Sequence, residues 1–145
     1  MGLFLQTLIL PDCTLNQAQD ALKAAESLPD LGLQTEDCLY GSVSNGQVVL
    51  LNAACTGYEN LAQALSEHLP GPVLLLYIFD EDFWGYHLYA DGQALDAFSP
   101  MPDYFEEVAA DERRRLAGQS AVIARCFQVA EETIANYLVP WDEAL

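Results

Sequence analysis

Residues 72–105 read PVLLLYIFDEDFWGYHLYADGQALDAFSPMPDYF, and their pattern decides the fold. Val73 to Phe79 is an unbroken run of seven apolar or aromatic residues behind Pro70-Gly71-Pro72. The run is short for a helix, and Val73, Tyr77, Ile78 and Phe79 favour extended backbone. Without polar alternation, this strand is expected inside a sheet, covered on both faces. Asp80-Glu81-Asp82 interrupts the run, and Phe83 to Tyr89 forms a second strand. Period two puts Trp84, Tyr86 and Leu88 on one of its faces and Gly85, His87 and Tyr89 on the other. Asp91-Gly92 supplies the positive φ of a tight hairpin, and Gln93 to Phe98 returns as a third strand. Counted from that turn, Tyr89 faces Ala94 and His87 faces Asp96.

Working outward, Ser99-Pro100-Met101-Pro102 ends the sheet, because two prolines remove two backbone donors. Asp103 has the character of a helix N-cap with Glu106 at capping-box spacing. A helical part follows over about 103–138, as Asp103–Ala109, Asp111–Ala117 with Gly118 as its stop, Ser120–Phe127 and Ala130–Leu138. Upstream, Leu3–Leu10 is a strand and Thr14–Leu28 a helix, capped by Thr14 with Gln17 and apolar at Leu15, Ala18, Leu22 and Ala25. Leu39–Val43 and Gln47–Leu51 form a hairpin about Ser44-Asn45-Gly46. Thr56 and Glu59 stand at capping-box spacing before a helix with an apolar stripe of Tyr58, Leu61, Ala62, Leu65 and Leu69. The order β-α-β-β-α-β-β-β, then helices, predicts an α+β fold. It is a mostly antiparallel sheet of about six strands with two helices packed on it and a helical C-terminal part, in one domain over 1–145.

Twenty-two acidic residues stand against five basic ones, a net charge of −17. No Lys or Arg lies between Lys23 and Arg113, an interval holding sixteen Asp and Glu. Such a surface repels nucleic acid and anionic membrane and attracts basic partners. No apolar run reaches membrane-spanning length, and MGLFLQTLIL lacks the basic flank and cleavage pattern of a signal peptide. Cys13, Cys38, Cys55 and Cys126 show no paired spacing, and only His68 and His87 could join them at a metal. The expectation is four reduced cysteines in a cytoplasmic protein, without a cofactor.

Several constellations could carry chemistry. Asp80, Glu81 and Asp82 would attract a hard cation, but they lack the glycine and later glutamate of a calcium loop and read as a solvated turn. His87 and Asp96, with Tyr86 and Tyr89, could form an acid–base group; on neighbouring strands they also make an ordinary cross-strand pair. Cys55 just before a helix could have a lowered pKa, but no partner base is in view. Trp84, Tyr86, Tyr89, Phe98, Tyr104 and Phe105 read as core or as a groove, and exposed rings beside acids would suit a protein partner. Arg113, Arg114 and Arg115 follow Asp111 and Glu112, and local pairing such as Asp111 with Arg115 is favoured over phosphate binding. Residues 116–138 have the outline of a helix-turn-helix, but Glu131 and Glu132 would face phosphate at its second helix, so the segment reads as a helical cap.

The segment Asp82-Phe83-Trp84-Gly85-Tyr86, with Leu88-Tyr89, Asp91-Gly92, Leu95-Asp96, Phe98 and Pro102-Asp103-Tyr104-Phe105, resembles small acidic bacterial proteins of unassigned function. Some proteins of this look are immunity-type or other interaction proteins. The resemblance covers roughly residues 73–105, brings no catalytic signature, and implies an interaction role. Function is therefore expected to be binding of a basic protein, with Asp80, Glu81, Asp82, Trp84, Tyr86, His87, Tyr89, Asp96 and Tyr104 as candidate contacts. The alternatives are a structural module without ligand, or a small ligand binder or enzyme built on His87 and Asp96.

Overall fold

The computed structural model describes residues 5–43, 46–79, 83–100, 107 and 109–138 of the chain. The elements are β1 (Leu5–Pro11), α1 (Leu15–Ala25), a 3-10 turn (Thr35–Asp37), β2 (Leu39–Val43), β3 (Gly46–Leu50), α2 (Tyr58–His68), β4 (Val73–Phe79), β5 (Phe83–Ala90), β6 (Gln93–Phe98), α3 (Ala110–Arg115), α4 (Ser120–Phe127) and α5 (Glu131–Ala135). The six strands make one antiparallel sheet in the order β2-β3-β1-β4-β5-β6. This is the expected α+β architecture, with helices at the C-terminal end.

Local chemistry explains the elements. The Thr14 hydroxyl accepts from the Gln17 N–H at 3.1 Å and the Gln17 side chain accepts from the Thr14 N–H at 2.9 Å, a complete capping box for α1. In the β5–β6 turn, Asp91 and Gly92 take φ of +51° and +77°, the pair of left-handed residues that a two-residue hairpin requires. The capping box expected for α2 does not form: its N-cap is Gly57, with no side-chain cap. The Thr56 and Gly57 N–H groups both donate to the Leu31 carbonyl, and a Cβ on Gly57 would stand 2.9 Å from Leu31 Cα. The tether to Leu31 thus sets the start of α2. In α1, Leu15 is 39% exposed, so the buried stripe is Ala18, Leu22 and Ala25 only. Helices α3 and α5 are shorter than the sequence suggests, the Asn45 turn lies outside the described residues, and of the helix expected over Asp103–Ala109 only Glu107 and Ala109 are described, neither of them helical.

Helices α1 and α2 cover one face of the sheet over Leu8, Leu10, Val49, Val73, Leu75 and Tyr89. On the other face Ile123 of α4, Ile134 of α5 and Leu138 pack on Leu74, Tyr86, Leu88 and Phe98. The register places Leu5, Thr7 and Ile9 of β1, Val48 and Leu50 of β3, Leu39, Gly41 and Val43 of β2, and Leu76 and Ile78 of β4 on this same face. These positions are half-buried or exposed. Among the described side chains of the central strand, burial on both sides is therefore confined to Val73–Leu75, and the expectation of full cover along it is corrected. The described C-terminal helices are too short to span six strands, so they seal the β4–β6 half with Ile9 of β1 at its margin.

Candidate functional site

The structure separates the candidate residues that the sequence grouped. In the β5–β6 ladder Tyr89 faces Ala94, as counted from the turn, but Leu88 then faces Asp96 and His87 faces Ala97. Leu95 is the extra residue of a β-bulge, and one added residue turns every later side chain to the opposite face. Asp96 thus lies with Tyr86 and Leu88, and the expected His87–Asp96 pair does not exist.

Asp96 is buried and holds the tail to the sheet. Its Oδ2 accepts from the Tyr86 hydroxyl at 2.5 Å and from the Gln119 N–H, at the start of α4, at 2.9 Å. Burial and then the Asp96 carboxyl hold the Tyr86 phenol far above its ordinary pKa, so it stays a donor. Trp84 and Tyr86 lie against Phe98, with ring centroids 5.2 Å and 6.0 Å from it. Of the six aromatics weighed as core or groove, Tyr86, Phe98 and Tyr89 are core, and Trp84 is half-buried at the margin of the open face. Tyr104 and Phe105, like Asp80, Glu81 and Asp82, lie outside the described residues.

His87 looks the other way, towards α2. Its Nε2 stands 3.1 Å from Glu59 Oε1, and its ring stacks between Tyr77 and Tyr89 at centroid distances of 5.8 Å and 6.3 Å. Glu59, at the start of α2, is the carboxylate that sequence reasoning missed, because it was read as a capping residue. Burial lowers the His87 pKa below 6.5; Arg115 also lowers it, while Glu59 and Glu112 oppose the shift. Burial pushes Tyr77 and Tyr89 up to about 12. Around His87, then, stand Glu59 from α2, Tyr77 from β4, Tyr89 from β5, and Glu112 and Arg115 from α3.

The pH dependence follows from that direction. A histidine whose folded pKa is depressed binds fewer protons folded than unfolded, so its contribution is fully present above 6.5 and is lost as pH falls through its folded value. Urea midpoints are expected to fall between pH 7.5 and 5.5, and His87→Asn is expected to flatten part of that fall. An identical pH profile in the variant would refute the role of His87.

Cys55 is buried and its pKa is raised to about 11, the reverse of the lowering that a helix N-terminus suggested. All four cysteines are free thiols. Arg114 pairs with Asp111, and Arg115 with Glu112 at 2.6 Å, both at i,i+3 rather than the i,i+4 pairing of Asp111 with Arg115. Among the described residues, no three His, Cys, Asp or Glu side chains converge as metal ligands, and no helix is long and apolar enough to cross a membrane.

The surface that composition did not point to is the open half of the sheet. Leu39 is 66% exposed, Val43 53% and Ile78 37%, and no charged side chain stands on this face of β1 to β4. A cleft of about 430 Å³ between Ile9, Val43 and Gly46 on the strands, Phe127 at the end of α4 and Val129 just after it borders it at one end. A second, of about 270 Å³ over Leu5, Leu76, Ile78 and Trp84, borders it at the other. The signal in the sequence was the absence of charge at alternate strand positions. No protein-family model matches the chain, and no curated protein or solved structure matches it either.

Proposed function

We propose that the protein is a cytoplasmic binding module for a basic protein, of the immunity type, with the open half-sheet as its contact surface. One observation carries this reading: an uncharged apolar face, with Leu39, Val43 and Ile78 exposed, on a chain of net charge −17. Contiguous exposed apolar surface marks interaction sites in soluble proteins. The acid excess steers cationic partners toward it and speeds association. The same charge disfavours nucleic acid and anionic membrane, and Glu131 and Glu132 in the first turn of α5 disfavour phosphate there.

The test is capture from lysate of the native host by the wild-type chain and by Ile78→Lys, with elution by rising salt. A basic protein held by the wild type, released as salt rises and reduced at least tenfold on the variant is the expected result. Capture that ignores both salt and the substitution would refute the reading. A second reading, a small ligand binder, rests on His87 against Glu59 between two tyrosine rings.

A further inference from the structure

The sheet has two edges, and they are finished differently. At β6 the edge is interrupted by the bulge at Leu95, its end is bridged from Phe98 to Ala117, and the Ser99 N–H donates to the Leu116 carbonyl at 2.9 Å. These are the devices by which proteins keep an edge strand from pairing with another chain. At β2 none is present. Leu39–Val43 runs in unbroken register with β3, without bulge, proline or charged residue, and no described residue pairs with its outer side.

The space above this edge is open. A Cβ built on Gly41 meets nothing within 4 Å, and Leu39 and Val43 on either side of it are exposed on the same face. Five residues span roughly 17 Å, a common strand length. In an antiparallel strand every second residue turns its N–H and C=O outward, so β2 presents unpaired backbone groups there.

Charge says what would fit. Glu36 and Asp37, both exposed, precede β2 in the 3-10 turn. Exposed Asp12 stands at the far end, lining the cleft with Val43 and Gly46. The base that precedes β2 in the chain, Lys23, pairs with Glu26 at 3.0 Å. An added strand would lie beside apolar Leu39 and Val43, with Glu36 and Asp37 at one end and Asp12 across β3 from the other.

We propose that β2 is a docking edge, which takes an extended segment of a basic partner as a seventh strand. That segment would carry apolar residues at alternate positions and Lys or Arg toward its ends. Backbone pairing would give the affinity, and Glu36 and Asp37 beside the edge, with Asp12 beyond, the preference for cations. The proposal rests on the binding reading above and assigns it a place and a mode.

The experiment uses the full chain and a labelled Ac-KVKVKVK peptide, with Ac-KVKPKVK as a control that cannot complete a strand. Fluorescence anisotropy at low salt is expected to show binding at least tenfold tighter for the first peptide. Exchange of the outward-facing amides of 39–43, those not paired with β3, is expected to be fast in the free protein and slowed by the first peptide alone. Leu39→Lys with Val43→Lys, at two exposed positions, is expected to weaken binding at least tenfold and leave the melting curve near wild type. Equal binding of both peptides, or protection outside β2, would overturn the edge proposal and leave the binding reading standing. Slow exchange of the outward-facing β2 amides in the free protein would overturn it as well, because the chain or a second copy would already occupy the edge. Failure of both peptides to bind would count against both readings.

Discussion

Asp96→Ala is expected to destabilise the fold by about 2–4 kcal/mol, more than any other substitution of an acidic residue described here. The alanine removes an acceptor that serves two donors at once, the Tyr86 hydroxyl and the Gln119 N–H. Tyr86 is 1% exposed, so its hydroxyl has no water to turn to, and an orphaned buried donor costs about 1–3 kcal/mol. The loss should also be local. Gln119 begins α4, and α4 with α5 holds Ile123, Ile134 and Leu138 on the sheet. Amide exchange in α4 and α5 is therefore expected to quicken before that of β1, β3 and β4. Asp96→Asn keeps an oxygen in place and should cost about half as much. The double variant Asp96→Ala, Tyr86→Phe removes one of the two orphans and should recover part of the loss, which a double-mutant cycle would read as coupling. A urea midpoint for Asp96→Ala within error of wild type would refute the anchoring role.

The bulge that creates this anchor shows where sequence reasoning stops. The hairpin was legible because Asp91-Gly92 must adopt positive φ and the flanking runs have strand composition. The strand Val73–Phe79, the α1 capping box and the alternation of Trp84, Tyr86 and Leu88 against His87 and Tyr89 were legible for the same kind of local reason. No local code announces that Leu95 will be skipped in the pairing. That choice depends on Asp96 finding Tyr86 and Gln119, the latter 23 residues away. The partner of His87 was hidden by the same non-locality, since Glu59 reaches it from another element across the core. Composition also could not say which half of an apolar sheet would be covered, because that depends on how far α4 and α5 extend. Of the nine candidate contacts, Trp84, Tyr86 and Asp96 fall on one face and His87 and Tyr89 on the other, so they do not form one site. Asp80, Glu81, Asp82 and Tyr104 lie outside the described residues.

Two substitutions on β4 test the open half-sheet directly. Leu75 is 0% exposed, faces α1 and α2, and is paired with Leu8 on one side and His87 on the other. Leu75→Ala leaves a cavity between the central strands and the helices, and close-packed interiors relax only in part, so a loss of about 2–5 kcal/mol is expected. Ile78, three residues along the same strand, points to the other face and is 37% exposed. Ile78→Thr keeps the β-branch that suits a strand and removes little buried surface, so about 1 kcal/mol or less should be lost. Urea unfolding of the two variants, with an unchanged m-value as the sign of two-state behaviour, gives the comparison. A large loss at Leu75 beside a small one at Ile78 means that the second face is uncovered in the free protein, as the proposed contact surface requires. If Ile78→Thr costs as much as Leu75→Ala, that face is packed in solution. The contact surface assigned to the basic partner would then have to be sought elsewhere on the molecule.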